Sequence, residues 1–556
     1  MKCRSARSFI LVLLFCLSSS AVATESPKLV LFLTIDQLRG DMPWRFKERF
    51  RPDGIRYLMD HGTVFANAHY RHAATFTATG HAALFTGGTA AAHGFVGNEW
   101  YDTRNGRRVY CVEDSTHSLI GQAAEVHSGT SPRNLTSTTI GDELVLASSG
   151  RSRLFSVSIK DRGAIIPGGY LGKAFWYEGG AGRFVTSTYY YQKYPDWVIE
   201  WNRARHADRY LGQQWRLLES PDRYVHAGQD ERPYEKSFKS LGTIFPHPFG
   251  SIASPDFYQT LRFTPMGDAL TAAFVKELID QEKLGRSGAT DFLAVSLSAT
   301  DYIGHAFGPN SLEAEDNLLQ LDKTLADLLR FIDQRIGLKN TLVVLASDHG
   351  TDAVPEYKRS LGIPAGRLKP DLFAEQVNQQ LKKQFTVQDD FVIGFWNPSL
   401  YLDSSRISAA GLDIEDVERA AAEAMLTIPG IALAVTRTDL LSGRVGNWPI
   451  HERVKRSFHP TRSGNVFIVQ SPSWFLHTKY EQLSAMHGSP YPYDTHVPIM
   501  IAGPGVPALT VHRRVAPEAV AATLAAYLGI ESPTGSSGDV LVEIFRSEQF
   551  TQAPSR

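Results

Sequence analysis

The segment KLVLFLTIDQLRGD, residues 28–41, is an almost unbroken apolar run that stops at an aspartate. A strand that is apolar on both faces must be covered on both faces. That is the property of an interior strand in a parallel α/β sheet. Similar runs occur at LFSVSIK (154–160), DFLAVSLSATD (291–301), TLVVLASDHG (341–350) and VPIMIAGPG (497–505). Helical patterns separate some of them. In residues 313–337, Leu318, Leu321, Leu325, Leu328 and Ile332 recur at helical spacing and Gly337 supplies a stop. Residues 516–530 form a second amphipathic pattern, with Pro517 expected in its first turn. Strands alternating with helices predict an α/β fold with a mostly parallel central sheet flanked by helices. Ligands bind such sheets at the carboxyl ends of the strands.

Two stretches break this rhythm. Residues 165–255 are rich in Gly, Tyr, Trp and Pro, and residues 355–480 mix a polar helical pattern with short strands such as GNVFIVQ. Both are expected to be insertions that cap the core. The expected division is therefore 24–164, 256–354 and 481–556 for the core, with insertions at 165–255 and 355–480. A length of 556 residues accommodates that plan.

Residues 1–23 read as an export signal. Lys2, Arg4 and Arg7 precede the apolar run FILVLLFCLSSS, which is too short to span a bilayer, and Ala21-Val22-Ala23 suits cleavage. The expected location is periplasmic or secreted, with no membrane span after cleavage. The formal net charge of −1 carries no basic excess, so no nucleic-acid partner is expected. Of three cysteines, Cys3 and Cys16 leave with the signal and only Cys111 remains. No internal disulfide and no thiolate zinc site can then form, so any metal must be held by His, Asp and Glu.

Such residues gather where the strands end. Asp36 closes the first strand, Asp301 the third apolar run, and Asp348 with His349 the fourth. A single strand-end aspartate is ordinarily a cap or turn former; the combination is what points to metal. Asp301 and His305 are four residues apart, so on a helical turn they share a face and can grip one ion. Asp348 and His349 can hold one ion or bridge two. With the late His487 there are enough oxygen and imidazole donors for two zinc-type sites. His496 lies close to His487 and is the alternative ligand. His72, His81 and His93 read as packing residues or as residues behind the ligands.

The nucleophile should lie beside the metals. RHAATFTATGHAALFTGG (71–88) enters a short helix near Thr77, and a hydroxyl at a helix N-terminus gains from the backbone N–H groups there. Local sequence does not choose among Thr75, Thr77 and Thr79. Lys160 and Arg162, in SIKDRG, are expected to end a strand and to point to the same side across Asp161.

In order and spacing, TIDQLRGD, TFTATGHAALFTG, HGFVGNEWYD, SIKDRGA, TDYIGHAFGP, SDHGT and HGSPYPYDTHVPI resemble the threonine-nucleophile branch of the alkaline phosphatase superfamily over nearly the whole mature chain. Within it they are most similar to the phosphate-irrepressible bacterial alkaline phosphatases, with the nucleotide pyrophosphatase/phosphodiesterases next. The resemblance implies an alkaline-phosphatase-like core and two Zn2+ ions. Asp36, Thr77, Asp348 and His349 would hold one ion, and Asp301, His305 and His487 the other. Asn98 would donate to a phosphoryl oxygen, and its spacing selects Thr77 as the nucleophile. The Lys160/Arg162 pair matches the monoesterase branch, which implies hydrolysis of small phosphate monoesters through a phosphothreonine. A phosphodiesterase or nucleotide pyrophosphatase on the same core is the alternative. A sulfatase would need a modified Cys or Ser where Thr77 stands, and a catalytically dead phosphate-binding module would lack ligands that are present here.

Overall fold

The computed structural model of the chain describes residues 26–545 apart from positions 124, 126, 479 and 480. The export signal expected at 1–23 lies outside the described residues. The central sheet has nine strands: β1 (Leu29–Ile35), β2 (Thr63–His69), β3 (Leu154–Ser158), β4 (Lys173–Glu178), β5 (Arg183–Val185), β6 (Asp291–Leu297), β7 (Thr341–Ala346), β12 (His496–Ala502) and β13 (Leu509–Val511). Strands β8 to β11 lie between β7 and β12 in the chain: Val392–Trp396, Ser399–Leu402, Ile431–Thr436 and Val466–Gln470. The order across the large sheet is β13-β2-β12-β7-β1-β6-β3-β4-β5.

β1 lies near the middle and is buried along its whole length. Its side chains divide by parity. Leu29, Leu31, Leu33 and Ile35 enter the apolar core on one face, and Val30 and Phe32 enter the core on the other. Truncating one of these leucines to alanine should cost about 2–5 kcal/mol. Helices α3 (Pro265–Gln281) and α5 (Leu312–Arg335) cover the first face. On the second face lie α1 (Thr77–Thr86) and α8 (Ala519–Leu528). Pro517 precedes that last helix instead of sitting in its first turn.

β1 pairs in parallel with both β6 and β7, and the registers run together: Ile35 faces Leu297, and Thr34 faces Ala346. Three neighbouring strands therefore end at one level. Whatever follows them in sequence is delivered to one edge of the sheet. That shared register is what brings residues 36, 298–301 and 347–349 together.

Two expectations need correction. β12, the VPIMIAG run, pairs antiparallel with both β7 and β2; burial on two faces demands an apolar strand but does not set its direction. Residues 173–185, placed in a capping insertion, form β4 and β5 and extend the central sheet by two strands. Residues 355–480 contain a separate four-stranded sheet, ordered β8-β9-β11-β10. With α6 (Phe373–Phe385) and α7 (Ile414–Leu426) it buries its own apolar cluster, which includes Phe373, Val377, Val417, Met425 and Ile468. This unit grips the core beside the site. Ser457 Oγ accepts from Ala73 N (2.7 Å) and Ala74 N (3.1 Å), and Arg462 donates to the carbonyls of Gly94 and Asn134 (2.5 and 2.7 Å).

Candidate active site

Asp36, Asp348 and His349 form one cluster and Asp301, His305 and His487 a second; within each, one ligand atom per residue lies within 4.8 Å of the others. α4 (Ala299–Phe307) carries Asp301 and His305 on one face, with His305 Nε2 3.1 Å from Asp301 Oδ1. The clusters adjoin, since the rings of His349 and His487 stack at 3.6 Å.

The three histidines share one arrangement. Nδ1–H of His349 donates to Gly350 O (3.1 Å), that of His305 to Ala485 O (2.8 Å) and that of His487 to Thr75 O (2.7 Å). Each backbone bond holds its ring with Nε2 turned toward the carboxylates. His496 is arranged the other way. Its Nε2–H donates to Ala66 O (3.0 Å), and its ring stacks on His69, so it stands outside both clusters.

The buried atoms also fit a metal. Asp36 Oδ1 and His349 Nε2 are buried without a hydrogen-bond partner. Orphaned polar atoms of this kind cost free energy unless a cation satisfies them. Burial and the neighbouring Asp348 push the Asp36 carboxyl well above its usual range. Burial acts the same way on Asp301 and Asp348 but is outweighed: His305 and Lys160 hold Asp301 well below its usual range, and His349, His81 and Lys160 lower Asp348. Burial lowers the pKa of His349 and His487, toward the neutral form that a metal ligand takes. An all-oxygen-and-imidazole donor set of this kind suits a divalent ion of the zinc class.

Sequence reasoning did not single out Gln37. Its backbone is in the left-handed region (φ 68°), a strained conformation for a residue with a Cβ. That turn points its N–H at Asp348 Oδ1 (3.1 Å) and its side-chain amide at Asp301 Oδ1 (2.8 Å), so Gln37 touches both clusters. Its side chain lies against Gly304 of α4, where any Cβ would overlap it. His81 was read as a residue behind the ligands. Its Nδ1–H lies 2.9 Å from Thr77 O and 3.2 Å from Asp348 Oδ2, while Ser296 Oγ donates to Nε2 (3.0 Å).

Thr77 is the first residue of α1 and is buried. The structure separates the three threonines by their hydroxyl bonds. Thr75 Oγ1 donates to Ser489 O (2.9 Å). Thr79 Oγ1 accepts from Phe76 N (3.0 Å) and lies 2.5 Å from Ala74 O. The Thr77 hydroxyl has no such bond among the described residues. Beside it, Asn98 Oδ1 accepts from Ala78 N (3.0 Å). That bond assigns the amide orientation and leaves its NH2 free to donate at the N-terminus of α1.

Lys160 and Arg162 do not end a strand as expected. β3 stops at Ser158, Lys160 caps α2 (Asp161–Gly168), and Arg162 is in that helix's first turn. Period-two alternation therefore does not apply to them. Lys160 Nζ lies between the clusters, 2.7 Å from Asp36 Oδ2 and 2.5 Å from Asp301 Oδ2. Burial opposes its charge, but Asp301 and Asp36 outweigh it and raise its pKa. Arg162 faces Tyr110 instead, with Nη1 3.3 Å from the phenol oxygen.

A family profile described as type I phosphodiesterase / nucleotide pyrophosphatase matches residues 30–490. Alkaline phosphatase PhoV of Synechococcus elongatus is 35% identical over 553 residues, covering 96% of this chain and 98% of that protein. A Myroides odoratus protein named a calcium-transporting ATPase is 34% identical over 545 residues, covering 97% and 99%. Alkaline phosphatase PafA of Elizabethkingia meningoseptica is 31% identical over 527 residues, covering 94% and 95%. The crystal structure of wild-type PafA superposes with a TM-score of 0.87 over 94% of this chain and 100% of that one. A PafA variant with a threonine, an asparagine, a lysine and an arginine replaced matches with the same TM-score.

Proposed function

The chain belongs to the type I phosphodiesterase / nucleotide pyrophosphatase family and is a phosphoric monoester hydrolase of the alkaline phosphatase type, and on that premise we propose that Thr77 is its nucleophile and that two zinc ions serve it. The observation that carries this reading is the unbonded Thr77 hydroxyl at the start of α1, beside two adjoining groups of Asp and His side chains that could each hold an ion. Asp36, Asp348 and His349, with Thr77, would hold one ion; Asp301, His305 and His487 the other. The four residue types replaced in the PafA variant occur there in the same chain order and at the same intervals as Thr77, Asn98, Lys160 and Arg162, which supports the assignment.

When bound, the ions would supply positive charge that acidifies the attacking hydroxyl and water and steadies the leaving oxygen. Thr77 Oγ forms a bond to phosphorus as the ester P–O bond breaks and the alcohol departs with a proton. Water then attacks the phosphothreonine, the P–Oγ bond breaks, Thr77 regains its proton and inorganic phosphate leaves. Asn98, Arg162 and the N-terminus of α1 donate to the nonbridging oxygens through both steps. Lys160 adds a buried positive charge between the clusters. A dianionic phosphoryl group gains more from these cations than a monoanionic diester does, and this favours the monoester. The terminal phosphoryl of a nucleoside triphosphate has the same charge, so ATP belongs in the substrate panel. Among the described residues no helix is long and apolar enough to cross a membrane; export to the periplasm or medium is part of this proposal.

The test is quenched turnover of a 32P-labelled aryl phosphate with metal analysis of the same sample. The expected result is about two zinc ions per chain and label on Thr77, lost in Thr77→Ala. Label on Thr75 or Thr79, or full activity in metal-free protein, would sink the proposal.

A further inference from the structure

We propose that Tyr110 determines specificity by standing between Arg162 and Asp161, so that the guanidinium stays available to the dianionic phosphoryl group instead of closing on its neighbouring carboxylate. This rests on the phosphoryl-binding role given to Arg162 above.

Arg162 follows Asp161 directly, and its own N–H donates to Asp161 Oδ1 (2.7 Å). A guanidinium so close to a carboxylate ordinarily forms a two-pronged ion pair. Here Nη1 stays 3.9 Å from Oδ1. The Tyr110 hydroxyl fills the gap: it donates to that same Oδ1 (2.6 Å) and accepts from Arg162 Nη1 (3.3 Å). Arg162 Nε remains buried with no hydrogen-bond partner. The carboxylate is held from behind, since a Cβ on Gly129 would overlap Asp161 Oδ2.

The local fold explains why Tyr110 is the residue in this place. Glu99–Asp102 and Arg107–Tyr110 form a hairpin in which Tyr110 faces Glu99. Its turn is set by Asp102, whose carboxylate accepts from Arg104 N and Asn105 Nδ2, and by Gly106 at φ 61°. At the open end, Cys111 N–H donates to Asn98 O (3.0 Å). One hairpin end thus delivers both Asn98, beside Thr77, and Tyr110, beside Arg162. A pair closed between Arg162 and Asp161 would compete with the phosphoryl oxygens for the same N–H groups.

The experiment uses the zinc-loaded enzyme with an aryl phosphate and its methyl diester in parallel. Tyr110→Phe keeps the ring and removes the spacer. Its kcat/KM for the monoester should fall about tenfold and that for the diester less than about twofold. Adding Asp161→Asn removes the carboxylate that captures Arg162, so Tyr110→Phe with Asp161→Asn should recover most of the monoester rate. Equal losses on both substrates, or no recovery in the double variant, would overturn the proposal. Arg162→Ala is the control. If it leaves the monoester-to-diester ratio unchanged, the role assigned to Arg162 is wrong and the Tyr110 inference fails with it. If it collapses the ratio while Tyr110→Phe does not, only the Tyr110 inference fails.

Discussion

The two candidate metal-binding clusters touch, yet they are built by different means. Asp36, Asp348 and His349 lie one to three residues beyond the ends of β1 and β7, adjacent strands in parallel register, and all three are fully buried. The ladder of backbone hydrogen bonds that holds the sheet also holds them. The second cluster joins one helix to a loop from far along the chain. α4 supplies Asp301 and His305, while His487 depends on Ser484, whose N–H donates to His305 O (2.7 Å) and whose hydroxyl bonds the carbonyls of Ala306 and Tyr234 (2.5 and 2.6 Å). His305 is also partly exposed. A site fixed by neighbouring strands has little freedom to lose its geometry. A site assembled from separately held segments opens whenever one of them lets go.

Single ligand removals test this contrast most strongly. His349→Ala and His487→Ala should each lower kcat/KM for an aryl phosphate by more than about 100-fold, because even residues behind metal ligands cost about 10–100-fold in affinity or activity. Metal counting by mass spectrometry should find one ion lost from each variant. Loss of both ions in either variant would show that the clusters form a single unit and would end the comparison.

A smaller effect is expected at Gln37, which bonds Asp348 of one cluster and Asp301 of the other. Gln37→Gly relieves the left-handed backbone but removes the amide that orients Asp301. Chelator competition should show the more weakly held ion released about tenfold more readily, while the melting temperature does not fall. A lower melting temperature with unchanged metal retention would make Gln37 a folding residue and not a link between the clusters.

The smallest predicted effect depends on pH. Glu235 lies behind the second cluster, between Tyr234, which accepts from Ser484, and Lys236, whose N–H donates to Ala306 O. Burial and the Glu313 carboxylate push its carboxyl up to about 9, and neither of its oxygens has a hydrogen-bond partner. The folded chain therefore keeps a proton that the unfolded chain releases above about pH 4.3. That stability is complete below the unfolded value and is lost as pH climbs through about 9. Glu235→Gln should flatten the fall in melting temperature between about pH 4.3 and about pH 9 by about 2 °C, and retention of the second ion toward the upper end of that range should improve with it. Parallel pH profiles for the two proteins would mean that Glu235 does not bear on the second cluster.

The residues that could be found in the sequence were those whose position follows from local pattern. Asp36, Asp301, Asp348 and His349 stand out because each follows a run that is apolar on both faces. Asp301 and His305 pair because i and i+4 share a helical face. Patterns fail where a partner comes from elsewhere in the chain. Nothing in LFSVSIKDRG marks the change from strand to helix at Lys160, so the alternation expected of Lys160 and Arg162 carried one element too far. Gln37 gave no signal, because its role comes from a left-handed turn and from contacts with residues 301 and 348. Tyr110 and Asp161 are 51 residues apart and meet only through the hairpin.

The sequence by itself determined the α/β class, the strands that end at the site and the chemical types gathered there, because two-faced burial and helical periodicity are properties of short segments. Only the tertiary structure decided the direction of β12 and which histidine joins Asp301. It also left the Thr77 hydroxyl unbonded between two bonded neighbours and placed Lys160 between the clusters. Each of these is settled by a hydrogen bond or close contact between distant segments. Such a contact exists only once parallel register has brought the strand ends to one level and the backbone carbonyls have claimed the other donors.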